Sequence, residues 1–229
     1  MTAQLVALCF DTEDPVRLTG FWAGFLGWDV RDGTTAHAPA VLDPGFVLRF
    51  LPTDEPKTAP NYLHFDLTSS SLEDQRQIVE RALALGARHH DVGQRPEEGH
   101  VVLADPGGNE FCVIEPGNQF LAGTGAIGAL AGDGSRANGY FWSRVLDWPL
   151  VWDQDEETAI QSPRGGPKIT WGGPPLAPRT GRRYRPHFDI APAPGTDRQT
   201  ERERLLDLGA TVRDSGQLAD PDGHEFCLL

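Results

Sequence analysis

Four blocks of this 229-residue chain occur twice, in the same order, and that internal repeat constrains its fold more than any other feature. Phe21-Trp22 with Leu26 and Trp28 recurs as Phe141-Trp142 with Leu146 and Trp148. His64-Phe65-Asp66-Leu67 recurs as His187-Phe188-Asp189-Ile190, and Leu85-Gly86-Ala87 as Leu208-Gly209-Ala210. The fourth block, Asp105-Pro106-Gly107-Gly108-Asn109-Glu110-Phe111-Cys112, returns as Asp220-Pro221-Asp222-Gly223-His224-Glu225-Phe226-Cys227. A Gly-rich stretch from Gly117 to Gly125 separates the copies. The reading is two like domains, residues 1–118 and 122–229, joined by residues 119–121. The stretch from His64 to Asp105 is longer than that from His187 to Asp220, so the second copy should carry the shorter loops.

Each copy alternates strand and helix signals twice. Leu5 to Phe10 is a short apolar run; Asp14 can cap a helix with Pro15 at its first position, and Leu18, Phe21, Trp22 and Phe25 recur at helical spacing before Gly27. Short strands are expected around Trp28 to Arg31 and Phe46 to Leu51, the latter after an Asp43-Pro44-Gly45 turn. The order then restarts. Tyr62 to Leu67 reads as a strand, Ser71 with Asp74 as a capping box, and Ile78, Val79, Ala82 and Leu83 as a buried stripe ending at Gly86. Val101–Ala104 and Glu110–Ile114 close the unit as strands around the Asp105 turn. The second copy gives a helix near Ser135 to Leu146 and another starting with a Thr196/Gln199 capping box. Each copy thus reads strand, helix, strands, then strand, helix, strands, and the chain is four like modules of α+β class.

Net charge is −13, which repels a phosphate backbone, so nucleic acid is not an expected partner. The arginine run Arg179, Arg182, Arg183 and Arg185 around Tyr184 reads as a solvated loop. Cys9, Cys112 and Cys227 are an odd number without close spacing, which suits free thiols in a reducing compartment. No apolar run spans a bilayer and Met1-Thr2-Ala3-Gln4 lacks a signal-peptide pattern, so a cytoplasmic protein without a membrane partner is expected. No Gly-rich phosphate loop is present, and no nucleotide cofactor is expected.

Taken together, the Phe-Trp-x-x-x-Leu-x-Trp helix end, the His-Phe-Asp strand, the Leu-Gly-Ala helix end and the Asp-Pro-x-Gly-x-Glu-Phe-Cys turn resemble the glyoxalase-like branch of the vicinal oxygen chelate superfamily. That superfamily includes glyoxalase I, bleomycin-resistance proteins and extradiol dioxygenases. The resemblance implies tandem glyoxalase-like domains, each of two paired β-α-β-β-β modules forming an open β cup. It also implies where a metal would sit: on the first strand of one module and on the first and last strands of its partner. The first-strand position falls on Ala7 in one copy and about Ile127 in the other, neither of which can coordinate. His64 and His187 match the second position and are the metal candidates, in an incomplete ligand set. The third position, normally Glu, falls on Cys112 and Cys227, with Glu110 and Glu225 two residues earlier and on the same strand face.

Fold alone does not assign chemistry here. The reading is a protein that binds a small organic molecule in a β cup with a degenerate metal site. A divalent metal stays open as a cofactor, but neither cup is expected to hold a stoichiometric transition metal. His64, Asp66, His187 and Asp189 are the candidate ligand contacts, because residues two apart share a strand face. Asp66 and Asp189 could instead satisfy turn amides at a strand edge. Trp152 and Trp171 are candidate cup linings, and Glu110 and Glu225 candidate general bases. Such an acidic interior would favour cationic ligands. The alternatives are a metal-dependent lyase, isomerase or dioxygenase, and an antibiotic-sequestering protein of the bleomycin-resistance kind. Monomer and homodimer are both compatible with the sequence.

Overall fold

The computed structural model describes residues 2–37, 47–95, 97–173 and 185–229. The Asp43-Pro44-Gly45 turn, and Arg179, Arg182, Arg183 and Tyr184, lie outside the described residues. Arg185 is described, and it is not a solvated loop residue. It is 8% exposed, and its guanidinium donates to the carbonyls of Asp11 and Glu55.

The four modules follow in chain order. The first is β1 (Gln4–Thr12), α1 (Pro15–Leu26), β2 (Asp29–Arg31), β3 (Thr35–His37) and β4 (Val47–Pro52). The second is β5 (Leu63–Leu67), α2 (Leu72–Ala84), β6 (Arg88–His89), β7 (Val101–Ala104) and β8 (Glu110–Val113). The third is β9 (Ile127–Gly132), α3 (Arg136–Leu146), β10 (Leu150–Gln154), β11 (Glu157–Gln161) and β12 (Lys168–Trp171). The last is β13 (Pro186–Ala191), α4 (Arg198–Asp207), β14 (Thr211–Val212), β15 (Leu218–Ala219) and β16 (Glu225–Leu228). The β14–β15 connection is shorter than β6–β7, in line with the shorter second copy.

Local chemistry sets the helix ends. Asp14 caps α1 by accepting from Arg17 N at 3.1 Å, Pro15 follows, and Gly27 ends the helix with φ +70°. Ser71 caps α2, accepting from Asp74 N. The cap of α4 differs from the sequence reading: Asp197, not Thr196, accepts from Thr200 N at 3.0 Å. A carboxylate one residue later offers an acceptor to the same orphan amides and adds a negative charge at the helix N-terminus.

Among the described residues the strands form two open sheets of eight. Sheet I runs β14-β15-β16-β13-β1-β4-β3-β2 and sheet II runs β10-β11-β12-β9-β5-β8-β7-β6. Each sheet therefore joins a module of one repeat to a module of the other, through antiparallel β1/β13 and β5/β9 pairs. The reason lies in α1. Its Trp22 ring sits 4.9 Å from Phe65 and 5.2 Å from Phe111 of the second module, so the two modules of one repeat pack through their helix-side faces. A module engaged by its face cannot also extend the same neighbour edge to edge.

The repeated motifs are two halves of one packing device. Asp105 is fully buried and accepts from Trp22 Nε1 (3.0 Å), Gly107 N (2.9 Å), Asn109 N (2.9 Å) and Asn109 Nδ2. In the second copy Asp220 accepts from Trp142 Nε1, Asn138 Nδ2 and His224 N. A buried carboxylate persists only with such donors, and burial still pushes Asp105 above its ordinary range. The Asp-Pro turn and the helix tryptophan thus recur together because each satisfies the other, and this pair is structural.

Candidate functional site

Strand alternation divides each sheet into a helix-side face and an open concave face. On β5, Leu63, Phe65 and Leu67 are buried in the core while His64 and Asp66 face the other way and are half-buried. The same alternation places Ile169 and Trp171 of β12 in the helix-side core and Lys168 and Thr170 on the concave face. Trp171 is 3% exposed, on the side away from His64.

In sheet I the β1/β13 register sets Cys9 opposite His187 and Ala7 opposite Asp189. The first-strand residue facing the histidine is therefore Cys9, not Ala7. Both lie on one face, and only the long-range register separates them. Donor atoms of Cys9, His187 and Asp189 lie within 4.8 Å of one another. Cys9 also pairs with Arg49 of β4, whose Nη1 donates to Asp189 Oδ2 at 2.5 Å; His187 Nε2 is 3.8 Å from Asp189 Oδ1. The cluster is sealed: Cys9, His187 and Asp189 are 0, 2 and 4% exposed. Burial, reinforced by the Asp189 charge, pushes the Cys9 thiol far above its ordinary range, so it stays neutral. Glu225 is half-buried beside Arg213, whose Nε lies 3.7 Å away.

Sheet II differs at two positions of the same row, with Ala131 standing where sheet I has Cys9. Thr170, opposite Ala131 and thus in line with His64, stands where sheet I has Arg49. A short side chain leaves this concave face open: His64, Ala131 and Thr170 are all half-buried. One row runs Trp152, Ala159, Thr170, Ala131, His64, and the neighbouring row Gln161, Lys168, Ala129, Asp66, Cys112. His64 Nε2 is 3.4 Å from Asp66 Oδ1. Burial opposes charge on the imidazole, but the hydrogen bonds to Asp66 and Cys112 outweigh it, and the pKa of His64 is pushed up to about 10.

Glu110, two residues before Cys112, has both oxygens engaged. Lys57 Nζ donates to Oε1 at 2.5 Å and Asn61 N to Oε2 at 3.2 Å, with His90 Nε2 3.9 Å from Oε1. Over the Ala129 end of the floor lie Phe120 and Leu121, packed with Val102, Cys112 and Ile114. Phe120 sits edge-on to Trp152 (5.8 Å, 84°), and Lys168 Nζ donates to the Phe120 carbonyl and lies 4.4 Å from the centre of its ring. The sequence offered Phe120 only as part of a Gly-rich linker. Arg49, Cys9 and Lys168 carried no motif that marked them.

The donors test poorly as a resident metal site. In sheet I a fixed guanidinium already compensates Asp189, and Cys9 holds its proton. In sheet II His64, Asp66 and Cys112 come within 4.8 Å, but the imidazole favours its protonated form, and β9 contributes only Ala129 and Ala131. A divalent cation held by these three donors would have to displace the imidazole proton.

Paired-module open sheets with concave, polar-centred faces define a class, the vicinal oxygen chelate proteins. The chain belongs within it to the glyoxalase-like domain family, whose profile matches residues 7–114 and 129–229. Among solved structures it is similar to glyoxalase I from Zea mays, at 12% identity and TM-score 0.62, with 99% of this chain and 92% of that one covered. It is also similar to a putative dioxygenase from Bacillus subtilis, at 13% identity and TM-score 0.59, with 99% and 84% covered. These likenesses show the fold. No curated protein matches the chain. Among the described residues no helix is long and apolar enough to cross a membrane.

Proposed function

We propose that the chain is a metal-independent small-molecule binding protein whose ligand occupies the concave face of sheet II. One observation carries the reading: the two pseudo-equivalent cups diverge at Arg49 and Thr170. Arg49 pairs with Asp189 beside the buried Cys9 and His187, whereas the short Thr170 stands beside half-buried His64 and Asp66. Ligand pockets combine apolar walls with a few convergent polar groups, and this face offers Trp152 and Phe120 beside His64, Asp66, Thr170 and Lys168. Glu110, clasped by Lys57, serves in this reading as a closure of the cup rim and not as a base. The same holds in outline for Glu225 beside Arg213.

The three-donor group His64, Asp66 and Cys112 favours a second reading, a metal-dependent lyase, isomerase or dioxygenase. Elemental analysis after purification without chelators separates the two. Metal well below one equivalent per chain is expected; one equivalent of iron, nickel or zinc, lost on His64→Ala, would establish the second reading. Saturation-transfer NMR against a fragment library tests the binding role itself. Hits should be lost in Ala131→Trp, which fills the open floor; hits indifferent to that substitution would place the ligand elsewhere.

A further inference from the structure

The charges on the concave face of sheet II are not evenly compensated. His64 and Asp66 balance one another at 3.4 Å, and Glu110 is balanced by Lys57 at 2.5 Å. Lys168 has no carboxylate partner among the described residues. Its ammonium meets the backbone carbonyl of Phe120 and the face of the Phe120 ring, which are dipole and quadrupole and carry no counter-charge. The side chain is half-buried, so its charge is partly stripped of water. An ammonium so placed gains most from an anion entering the cup.

Beside it stands an aromatic corner. Trp152 is 37% exposed, an unusual state for the largest apolar side chain, and its ring meets the edge of Phe120. Lys168 and Thr170 are two residues apart on β12, hence on one face about 6.6 Å apart, and Trp152 lies two strands over, about 9.6 Å from Thr170. A flat bicyclic ring bearing one acidic group spans that distance.

Resting on the reading of sheet II as the ligand cup, we infer that the ligand is a planar aromatic carboxylate. Its ring lies against Trp152 and Phe120, and its carboxylate accepts from Lys168 Nζ and the Thr170 hydroxyl. This reverses the cationic preference drawn from the sequence, because the carboxylates of this face are already paired. Binding also takes the ammonium from the Phe120 carbonyl, so the segment carrying Phe120 and Leu121 should loosen when the cup fills.

Three probes of one shape and different charge test this by calorimetry: 2-naphthoate, 2-naphthalenemethanol and 2-naphthylmethylammonium. Naphthoate should bind at least tenfold more tightly than the alcohol, and the ammonium least. Lys168→Met should bring naphthoate to the level of the alcohol and leave the alcohol unchanged, while Trp152→Ala weakens both. Equal affinities, or tightest binding of the ammonium, would overturn the carboxylate assignment while leaving the cup in place. If no probe binds, or if binding survives Ala131→Trp unchanged, the cup reading fails and the inference with it.

Discussion

Replacing Asp105 by Ala removes the acceptor that joins the Asp-Pro turn to α1. Trp22, 1% exposed, loses the acceptor of its Nε1, and Asn109, 2% exposed, loses the acceptor of its backbone amide. Asn109 Nδ2 can rotate and Gly107 N lies nearer solvent, so two donors are stranded without remedy. At ~1 to 3 kcal/mol for each buried unsatisfied donor, the loss is about 2 to 6 kcal/mol, centred near 4. With an m-value of ~2 kcal/mol/M in urea, the unfolding midpoint should fall by about 2 M. Asp105→Asn keeps one acceptor oxygen for Trp22 and should lose roughly half as much. The assay is urea unfolding followed by tryptophan fluorescence and circular dichroism together, with the exposed Glu203→Ala as control. Asp220→Ala should behave alike, since Trp142, Asn138 and His224 N converge on it. A shift for Asp105→Ala no larger than that of the control would refute the view that the repeated motifs are a packing device.

Other outcomes follow from the same geometry. His64 should titrate near 10 by imidazole NMR and return toward 6.5 in Asp66→Asn. Because its folded pKa lies above the unfolded value, its stabilisation is fully present below pH ~6.5 and fades as pH rises toward 10, so unfolding midpoints should decline across that window. Cys9, 0% exposed and held as a neutral thiol, should resist Ellman's reagent in the folded protein and react only on unfolding; labelling at the native rate of an open thiol would contradict the sealed cluster. Gly139→Ala should destabilise by ~1 to 3 kcal/mol, since the added Cβ would meet Thr158 Oγ1 at 2.1 Å; an unchanged melting temperature would show that α3 can shift freely.

The sequence by itself determined the four modules, most of their helix ends and the face that His64 and Asp66 share, while the α4 cap fell on Asp197 instead of Thr196 and Trp171 turned into the core. The legible features rest on interactions within a few residues: the Asp14 cap with Pro15, the Gly27 stop, and the period-two alternation that puts His64 and Asp66 together. The repeat marked Trp22 and Asp105, with Trp142 and Asp220, as members of recurring blocks, and the structure shows that they bond to one another. What only the tertiary structure decided is which modules share a sheet, and hence which side chains meet. Period two assigns Ala7 and Cys9 to one face with equal right; the β1/β13 register alone sets Cys9 opposite His187. Likewise Arg49 meets Asp189 across 140 positions, Lys57 meets Glu110 across 53, and Phe120 folds back over Ala129. No local pattern encodes such partners, because each is fixed by the pairing of strand edges far apart in the chain. The fold is therefore legible along the sequence, whereas the divergence of the two concave faces at Arg49 and Thr170 appears only when the two sheets are assembled.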